Sequence, residues 1–297
     1  MVLFQIIKHI ACLAACVLLT SLANAAPVRP SDMSFQRRSA GGKRIILWQT
    51  TLSDELSSIP GILTAATELT SSSVIKSIAN WETKRPQELS KKFLFRPMVR
   101  TPEYLSGENW NDLISVVSSQ NGSIVHFYNE PERPNISEAD AVAKWRENMI
   151  PLRQKYGVKL VAPGCASDPD GSKWLQTFMS MLSDSEKPDY INLHFYTLAT
   201  NPCDQEIENA KSYIAQNHDT YKLPVIVGEI ASTSRDIAQV EQFTKEVSNW
   251  IDGQDWIAEY GFFGVSTSVA DDFVSSAAQM LNSNGAWTDL GKWWIGE

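Results

Sequence analysis

From Lys43 onward, short runs of β-branched and aromatic residues alternate with longer stretches in which apolar residues recur every three or four positions. The short runs are nearly all hydrophobic, as strands covered on both faces must be, and the longer stretches have the spacing of helices with one buried face. Eight strands are predicted: 44–49, 74–81, 92–99, 123–129, 159–163, 190–196, 224–229 and 260–266. Doubly wound sheets more often have fewer strands, so this count predicts an α/β fold with a single (β/α)8 TIM barrel.

One helix is marked at both ends. It is predicted to begin after Ser137, with Asp140 three residues on as a loose capping box. It is predicted to stop at Gly157, because glycine tolerates the left-handed conformation of a helix C-cap. The helix follows the fourth predicted strand, as the alternation of a barrel requires.

The N-terminal segment stands apart from this pattern. Residues 1–25 combine Lys8, an apolar run of about 13 residues and a final Ala-Asn-Ala, which is the order of a secretory signal peptide. The run is shorter than the ~20 residues that a transmembrane helix needs. Residues 26–42 are polar, include the dibasic pair at 37 and 38, and are expected to form a disordered leader or propeptide. The folded domain is predicted to cover residues 43–297, and the protein is expected to be secreted, extracellular or in the cell wall.

The charge balance limits the partners. The chain has 26 Lys and Arg residues against 34 Asp and Glu residues, a formal net charge of −8. This excess of acid speaks against a nucleic-acid partner and against an anionic membrane surface once the signal is removed. A neutral or cationic ligand suits the chain better, and we expect a monomer.

Secretion gives meaning to two further features. After removal of residues 1–25, Cys165 and Cys203 are the remaining cysteines, and a pair of thiols in an oxidising compartment tends to form a disulfide. In a barrel both would lie at the same mouth, past adjacent strands. Asn121 and Asn135 begin N-glycosylation sequons near predicted loops.

Two acidic residues end predicted strands. Alternation places Glu130 at the end of the fourth strand, directly before Pro131, and Glu229 is the first charged residue after the apolar start of the seventh. The carboxyl ends of barrel strands open onto the catalytic mouth, where these two strands lie opposite each other. Paired carboxylates can cleave a glycosidic bond, one as acid and the other as nucleophile or base.

Aromatic residues near strand ends could offer stacking surfaces to a sugar, although core packing explains any single one equally well. Those predicted to bind substrate are Trp48, Trp81 and Phe263. The four histidines show no metal-binding spacing, and no nucleotide-binding or nucleophile-elbow motif occurs, so no metal and no cofactor are predicted.

An ordered set of motifs carries a family resemblance. The segments are FRPMVR (95–100), FYNEPE (127–132), KLVAPGCAS (159–167), PDYINLHFY (188–196) and PVIVGEIAS (224–232). Together they resemble glycoside hydrolase family 128, a family of retaining β-1,3-glucanases with a (β/α)8 barrel. The resemblance implies Glu130 as acid/base, Glu229 as nucleophile, Asn129 as a contact of the sugar 2-hydroxyl, and His194 and Tyr196 beside the scissile bond.

The chain departs from the family pattern at two places that touch the sugar platform. Strand eight ends in Phe-Phe (262–263) where the family usually has Trp-Phe, and the family's second-strand Trp-x-Tyr-Asn-Trp region is reduced to Asn-Trp-Glu (80–82). The resulting prediction is a secreted endo-β-1,3-glucanase, with residues 43–297 as its catalytic domain. The alternatives are a non-catalytic β-glucan-binding barrel and a glycosidase of the same clan acting on another linkage. Burial and the charge of Glu229 are expected to raise the pKa of Glu130.

Overall fold

The computed structural model describes residues 42–49, 59–268 and 273–297. The predicted signal peptide (1–25) and nearly all of the predicted leader (26–42) lie outside these residues. The strands of the described part are β1 (Arg44–Leu47), β2 (Ile75–Ala79), β3 (Leu94–Arg96), β4 (Met98–Val99), β5 (Ile124–Phe127), β6 (Lys159–Cys165), β7 (Tyr190–Tyr196), β8 (Val225–Ala231) and β9 (Ile257–Phe262).

The strands form one parallel sheet in the order β3-β2-β1-β9-β8-β7-β6-β5-β4. Its two ends, β3 and β4, are separated by Pro97 alone, so the sheet returns to the same stretch of chain and forms a nearly closed barrel. Proline has no backbone N–H, but the Pro97 carbonyl oxygen accepts a hydrogen bond of 2.9 Å from the His126 N–H of β5. The predicted third strand is therefore β3 and β4 together, and the predicted barrel is confirmed.

Helices connect the strands. They are α1 (Pro60–Glu68), α2 (Gly107–Ser119), α3 (Glu138–Lys144), α4 (Ile150–Tyr156), α5 (Pro169–Ser180), α6 (Cys203–Tyr221), α7 (Ile237–Asp252) and α8 (Asp289–Ile295). The predicted helix 137–157 is α3 and α4, joined by a π-helical turn at Trp145–Met149. Its caps are confirmed: the Ser137 side chain accepts from the Asp140 N–H, and Gly157 has φ 64°.

The barrel interior holds a buried ion pair. Arg96 of β3 forms two hydrogen bonds to the Glu259 carboxylate of β9, one of them 2.9 Å from Nε to Oε2, and Ser77 donates to the same oxygen at 2.7 Å. Two strands separate β3 from β9 in the sheet order, so this contact crosses the interior. A small layer of apolar side chains also belongs to this region: Ile45, Leu47, Ala79, Ile124, Val161 and Ile226.

The predicted disulfide is not formed, because Cys165 and Cys203 are both free thiols. The Cys203 Sγ faces α7, 3.3 Å from the Gln239 carbonyl oxygen. Cys165 lies at the end of β6, which is separated from β8 by β7 in the sheet. Burial and the charge of Glu132 raise the pKa of the Cys165 thiol. The two side chains thus contact different neighbours.

The last barrel strand, β9, runs from 257 to 262 and so begins and ends earlier than the predicted 260–266. Asn121 and Asn135 are exposed, and their glycosylation stays a prediction. Among the helices of the described residues, none combines the length and the apolar character needed to span a bilayer.

Candidate active site

Glu130 and Glu229 meet at the carboxyl ends of the strands. Glu229 lies in β8 and is 6% exposed, while Glu130 follows β5 and is partly exposed. One carboxylate oxygen of each lies within 4.8 Å of the other and of a ring nitrogen of His194 in β7. The two acids, almost a hundred residues apart in sequence, therefore share one site.

Glu130 reaches this position through an irregular turn. Tyr128 and Glu130 both have left-handed backbone conformations, with φ values of 41° and 42°. The Glu130 N–H donates to the Gly164 carbonyl oxygen of β6 at 2.7 Å, which compensates part of the conformational cost. Backbone strain of this kind concentrates at functional sites, and here it aims the carboxyl group across the mouth.

His194 lies beneath both carboxylates. Its Nδ1 is 3.0 Å from Glu130 Oε1 and 3.6 Å from Glu229 Oε2, and the side chain is almost wholly buried. Burial alone would lower the pKa of His194, but the charge of Glu229 and the hydrogen bond to Glu130 outweigh it and raise the pKa above its ordinary value. The imidazole is thus favoured in its protonated form.

The pKa of Glu130 differs from the sequence expectation. Burial acts to raise this pKa, but the hydrogen bond and charge of His194, together with the charge of Arg133, lower it below its ordinary value. The expected raised pKa was therefore wrong for the ligand-free site. The cause is His194, which lies between the two acids and whose hydrogen bond and charge favour the ionised form of Glu130.

Glu229 is held by two neutral donors. The Trp81 indole Nε1–H donates to Oε1 and the Tyr196 hydroxyl donates to Oε2, each at 2.6 Å. Such bonds fix the direction of the carboxylate. Each oxygen of Glu229 thus accepts one hydrogen bond, and His194 lies between the two acids with its Nδ1 near an oxygen of each.

A cleft of about 970 Å³ opens above the pair. Rings form its wall beside Glu229: the Trp81 and Phe263 centroids are 5.6 Å apart, and those of Tyr196 and Phe273 are 4.9 Å apart. Beside Glu130 the wall is ionic, because Arg133 and Asp168 line it and bind each other at 2.6 Å. The cleft wall is therefore mainly aromatic beside Glu229 and ionic beside Glu130, and a second ion pair, Arg100 with Glu82 at 3.6 Å, also lines the cleft.

Comparisons with known proteins identify the family. The family described as glycosyl hydrolase catalytic core matches residues 61–294. A glycoside hydrolase family 128 subgroup VI exo-β-1,3-glucanase from Aureobasidium namibiae is 34% identical, with a TM-score of 0.77 over 86% of this chain and 97% of that one. This chain belongs to glycoside hydrolase family 128.

Two further members of family 128 share the fold at lower identity. The subgroup V exo-β-1,3-glucanase from Cryptococcus neoformans is 24% identical, with a TM-score of 0.68 over 86% of this chain and 98% of that chain. The subgroup IV endo-β-1,3-glucanase from Lentinula edodes is 22% identical, with the same TM-score over 86% and 100%. A comparison with curated protein sequences gives no match.

Several residues predicted to bind substrate line the cleft. Asn129, Trp81, Tyr196 and Phe263 all do so, although Trp81 and Tyr196 also hold the Glu229 carboxylate. His194 does not line the cleft, because it is 1% exposed and acts from below.

The prediction that Trp48 binds substrate was wrong. Trp48 is 1% exposed, packs in the hydrophobic core, and donates its indole N–H to Glu88 Oε1 at 2.8 Å. Two other residues near the motif are also structural. His126 and Tyr128 are both buried, so neither is placed to contact a sugar in the cleft.

Glu132, the other acid of the FYNEPE motif, does not face the cleft. Its side chain is 5% exposed and its Oε1 accepts a 3.0 Å hydrogen bond from the Ala166 N–H. It thereby fastens the loop after β5 to the end of β6. Sequence reasoning missed Arg133, Asp168 and Phe273 as cleft residues, and for Arg133 the available signal was its position three residues after Glu130.

Proposed function

We propose that this chain is a secreted β-1,3-glucanase that cleaves its substrate by double displacement with retention of configuration. The mechanism rests on one observation: a carboxylate oxygen of Glu130 lies within 4.8 Å of a carboxylate oxygen of Glu229. Retaining enzymes place their carboxyl groups about 5 Å apart, whereas inverting enzymes separate them by ~6.5–9.5 Å to admit water. The 34% identical relative, named as an exo-β-1,3-glucanase, supports the choice of substrate.

In the first step, Glu229 attacks the anomeric carbon and the glycosidic C–O bond breaks. Glu130 gives its proton to the departing oxygen, and a glycosyl ester forms on Glu229. A proton source is close, because His194 Nδ1 lies 3.0 Å from Glu130 Oε1 and a protonated imidazole can pass its proton to that oxygen. The hydrogen bonds from Trp81 and Tyr196 hold the Glu229 carboxylate in a fixed direction for the attack.

In the second step, Glu130 acts as a base. It takes a proton from a water molecule whose oxygen attacks the anomeric carbon, and the ester bond to Glu229 breaks. Two inversions at the same carbon give net retention. The ring-lined wall beside Glu229 offers apolar surfaces for the glycosyl unit that becomes esterified.

The test incubates the purified chain with laminarin and with other β-glucans and measures new reducing ends. Wild type is expected to release sugar from laminarin, and Glu229→Ala is expected to abolish release. A second assay uses an aryl laminaribioside with a good leaving group and adds azide. The Glu229→Ala variant should then form an α-glycosyl azide from this substrate, and the Glu130→Ala variant should form a β-glycosyl azide. Unchanged activity in Glu229→Ala would reject the assignment.

The same assay distinguishes the alternatives. Capture of the chain by insoluble glucan without release of sugar would favour a non-catalytic binding protein, and release from another glucan alone would favour a different linkage. The predicted endo action stays a prediction, and product lengths from defined laminari-oligosaccharides test it. Secretion is tested by expressing the full chain and sequencing the N-terminus of the exported protein.

A further inference from the structure

Arg133 is a charged residue next to Glu130 that has no role in the two steps of the proposed mechanism. It lies three residues after Glu130 in the loop that follows β5, and its backbone N–H donates to the Glu130 carbonyl oxygen at 2.9 Å. The side chain is 53% exposed and lines the cleft. Backbone and side chain therefore both face the predicted acid/base.

One end of this side chain is anchored. The Arg133 Nη2 lies 2.6 Å from Asp168 Oδ2, and Asp168 caps α5 by accepting a 2.8 Å hydrogen bond from the Gly171 N–H. The anchor thus belongs to a regular element. Long side chains at half-exposed positions otherwise lose much of their effect to conformational freedom and solvent screening.

The other end faces the carboxylates. Arg133 Nε lies 3.9 Å from Glu130 Oε2 and 3.9 Å from Glu132 Oε1. His194 contacts the opposite oxygen of Glu130, Oε1, at 3.0 Å. The Glu130 carboxyl group is consequently held between two cationic groups, one buried and one at the cleft surface.

The charged groups around Glu130 act in both directions. His194 and Arg133 lower the pKa of Glu130, whereas burial and the charge of Asp168 raise it. Glu229 faces it across His194, and Glu132 lies on the far side of Arg133. Removing the Arg133 charge alone would leave one cation among three carboxylates, so the balance at Glu130 should move toward the protonated form.

We propose that Arg133, anchored by Asp168, is a positioning residue for Glu130: its charge, held 3.9 Å from Glu130 Oε2, electrostatically favours release of the proton of that carboxyl group. This inference rests on the proposed role of Glu130 as acid/base. By favouring the ionised form, Arg133 serves the second step, in which Glu130 must accept a proton from water.

The experiment compares Arg133→Met and Arg133→Gln, which lose the charge, with Arg133→Lys, which keeps it. Arg146→Met is the matched control, because Arg146 is similarly exposed and binds Glu186 at 2.6 Å away from the cleft. The Glu130 carboxyl is followed by pH titration in ¹³C-glutamate-labelled protein, with Glu130→Gln to assign its resonance. The pH profile of kcat/KM on a laminari-oligosaccharide is measured in parallel.

Both neutral variants are expected to raise the titration midpoint of Glu130 by about 0.5 to 1 pH unit and to move the alkaline limb of the kcat/KM profile upward with it. Arg133→Lys and Arg146→Met should stay close to wild type. Superimposable titrations of Arg133→Met, Arg133→Gln and wild type would overturn the proposal. The titration does not need turnover, so the two failures are distinguishable: a wild type without glucanase activity but with the expected shift would reject the proposed function while retaining the electrostatic coupling of Arg133 to Glu130.

Discussion

At the scale of single residues, the two acids differ in the partners that hold them. Glu229 receives two neutral donors, Trp81 and Tyr196, at 2.6 Å each, whereas Glu130 has the cationic neighbours His194 and Arg133. Neutral donors fix the direction of a carboxylate without placing a positive charge beside it. Cationic neighbours, in contrast, influence how readily a carboxyl group gains and loses its proton, which an acid/base must do. The environments match the separate roles that the proposed function gives to the two residues.

Trp81→Phe tests the donor to Glu229, because it removes the indole N–H and keeps an aromatic ring. A hydrogen bond to a charged group contributes about 1.5–3 kcal/mol, so kcat/KM should fall by roughly 10- to 100-fold. Steady-state kinetics on laminari-oligosaccharides checks this. Trp48→Phe is the control, since it removes an indole donor in the core. It should lower the melting temperature with little effect on kcat/KM, and equal kinetic losses in both variants would contradict the assignment.

At the scale of elements, two glycines make room for the polar side chains of β7. A Cβ on Gly164 of β6 would lie 2.4 Å from Asn192 Nδ2 and 2.5 Å from His194 Nε2. A Cβ on Gly228 of β8 would lie 2.3 Å from Asn192 Oδ1. Both neighbouring strands therefore need a residue without a Cβ at these points, β6 to admit His194 and Asn192 and β8 to admit Asn192.

Gly164→Ala should consequently displace His194. Asn192 and His194 are buried and cannot move away freely, so we expect a loss of about 1–3 kcal/mol in the free energy of unfolding. We also expect at least about a tenfold fall in kcat, because the contact with Glu130 is disturbed. Urea unfolding and kinetics measure both effects. Gly253→Ala is the comparison, since its Cβ would meet its nearest neighbour at 3.3 Å. Wild-type kinetics in Gly164→Ala would show that the contact does not matter.

The free thiols give a second prediction for elements. Because Cys203 faces α7 and Cys165 is buried on β6, reducing agent should not change the melting temperature of the folded domain. Mass mapping under non-reducing conditions should find both residues as thiols. A linked peptide pair would instead show that this region of the molecule can rearrange.

The sequence could predict those elements that are marked by local patterns. The barrel followed from eight apolar runs, and the helix 137–157 from Ser137 and Gly157, because periodicity and caps are local signals. Strict alternation fails at Tyr128, which packs in the outer core with its neighbour Phe127 because its φ is positive. Glu130 nonetheless reaches the mouth, through a second left-handed residue that no periodic pattern contains.

The side-chain partners could not be predicted in the same way. Arg133 pairs with Asp168, and Cys203 contacts Gln239 instead of Cys165. Both outcomes depend on which neighbour a side chain meets across a loop, and the periodicity of the sequence contains no information on that. Trp48 was misplaced for a related reason. A tryptophan at the end of a strand can face either the mouth or the surrounding helices, and here it packs in the core.

At the scale of the whole molecule, the interior pair of Arg96 and Glu259 ties together distant parts of the barrel. Burial acts to raise the pKa of Glu259, but the hydrogen bond and charge of Arg96 outweigh it and lower the pKa below its ordinary value. A carboxyl group with a depressed pKa stabilises the fold above its unfolded-state pKa. That contribution is lost as the pH falls through the folded-state value.

Glu259→Gln should therefore weaken the barrel most at neutral pH. Leaving Arg96 buried without its charge partner should cost about 3–5 kcal/mol of unfolding free energy. The difference from wild type should shrink below about pH 4, because wild type loses its own contribution there. Urea unfolding at several pH values measures this, with Arg146→Met as an exposed ion-pair control. A difference independent of pH would exclude the electrostatic explanation.

The unlike walls of the cleft have a consequence for the direction in which a polymer can enter. A glucan has a reducing and a non-reducing end, and its two orientations in a groove are not equivalent. Under the proposed function, the unit toward the non-reducing end must rest against the rings beside Glu229, and the departing portion must pass Arg133 and Asp168. Under the same proposal, a chain entering backwards would present its anomeric carbons away from Glu229, so the groove would accept a glucan in a single polarity.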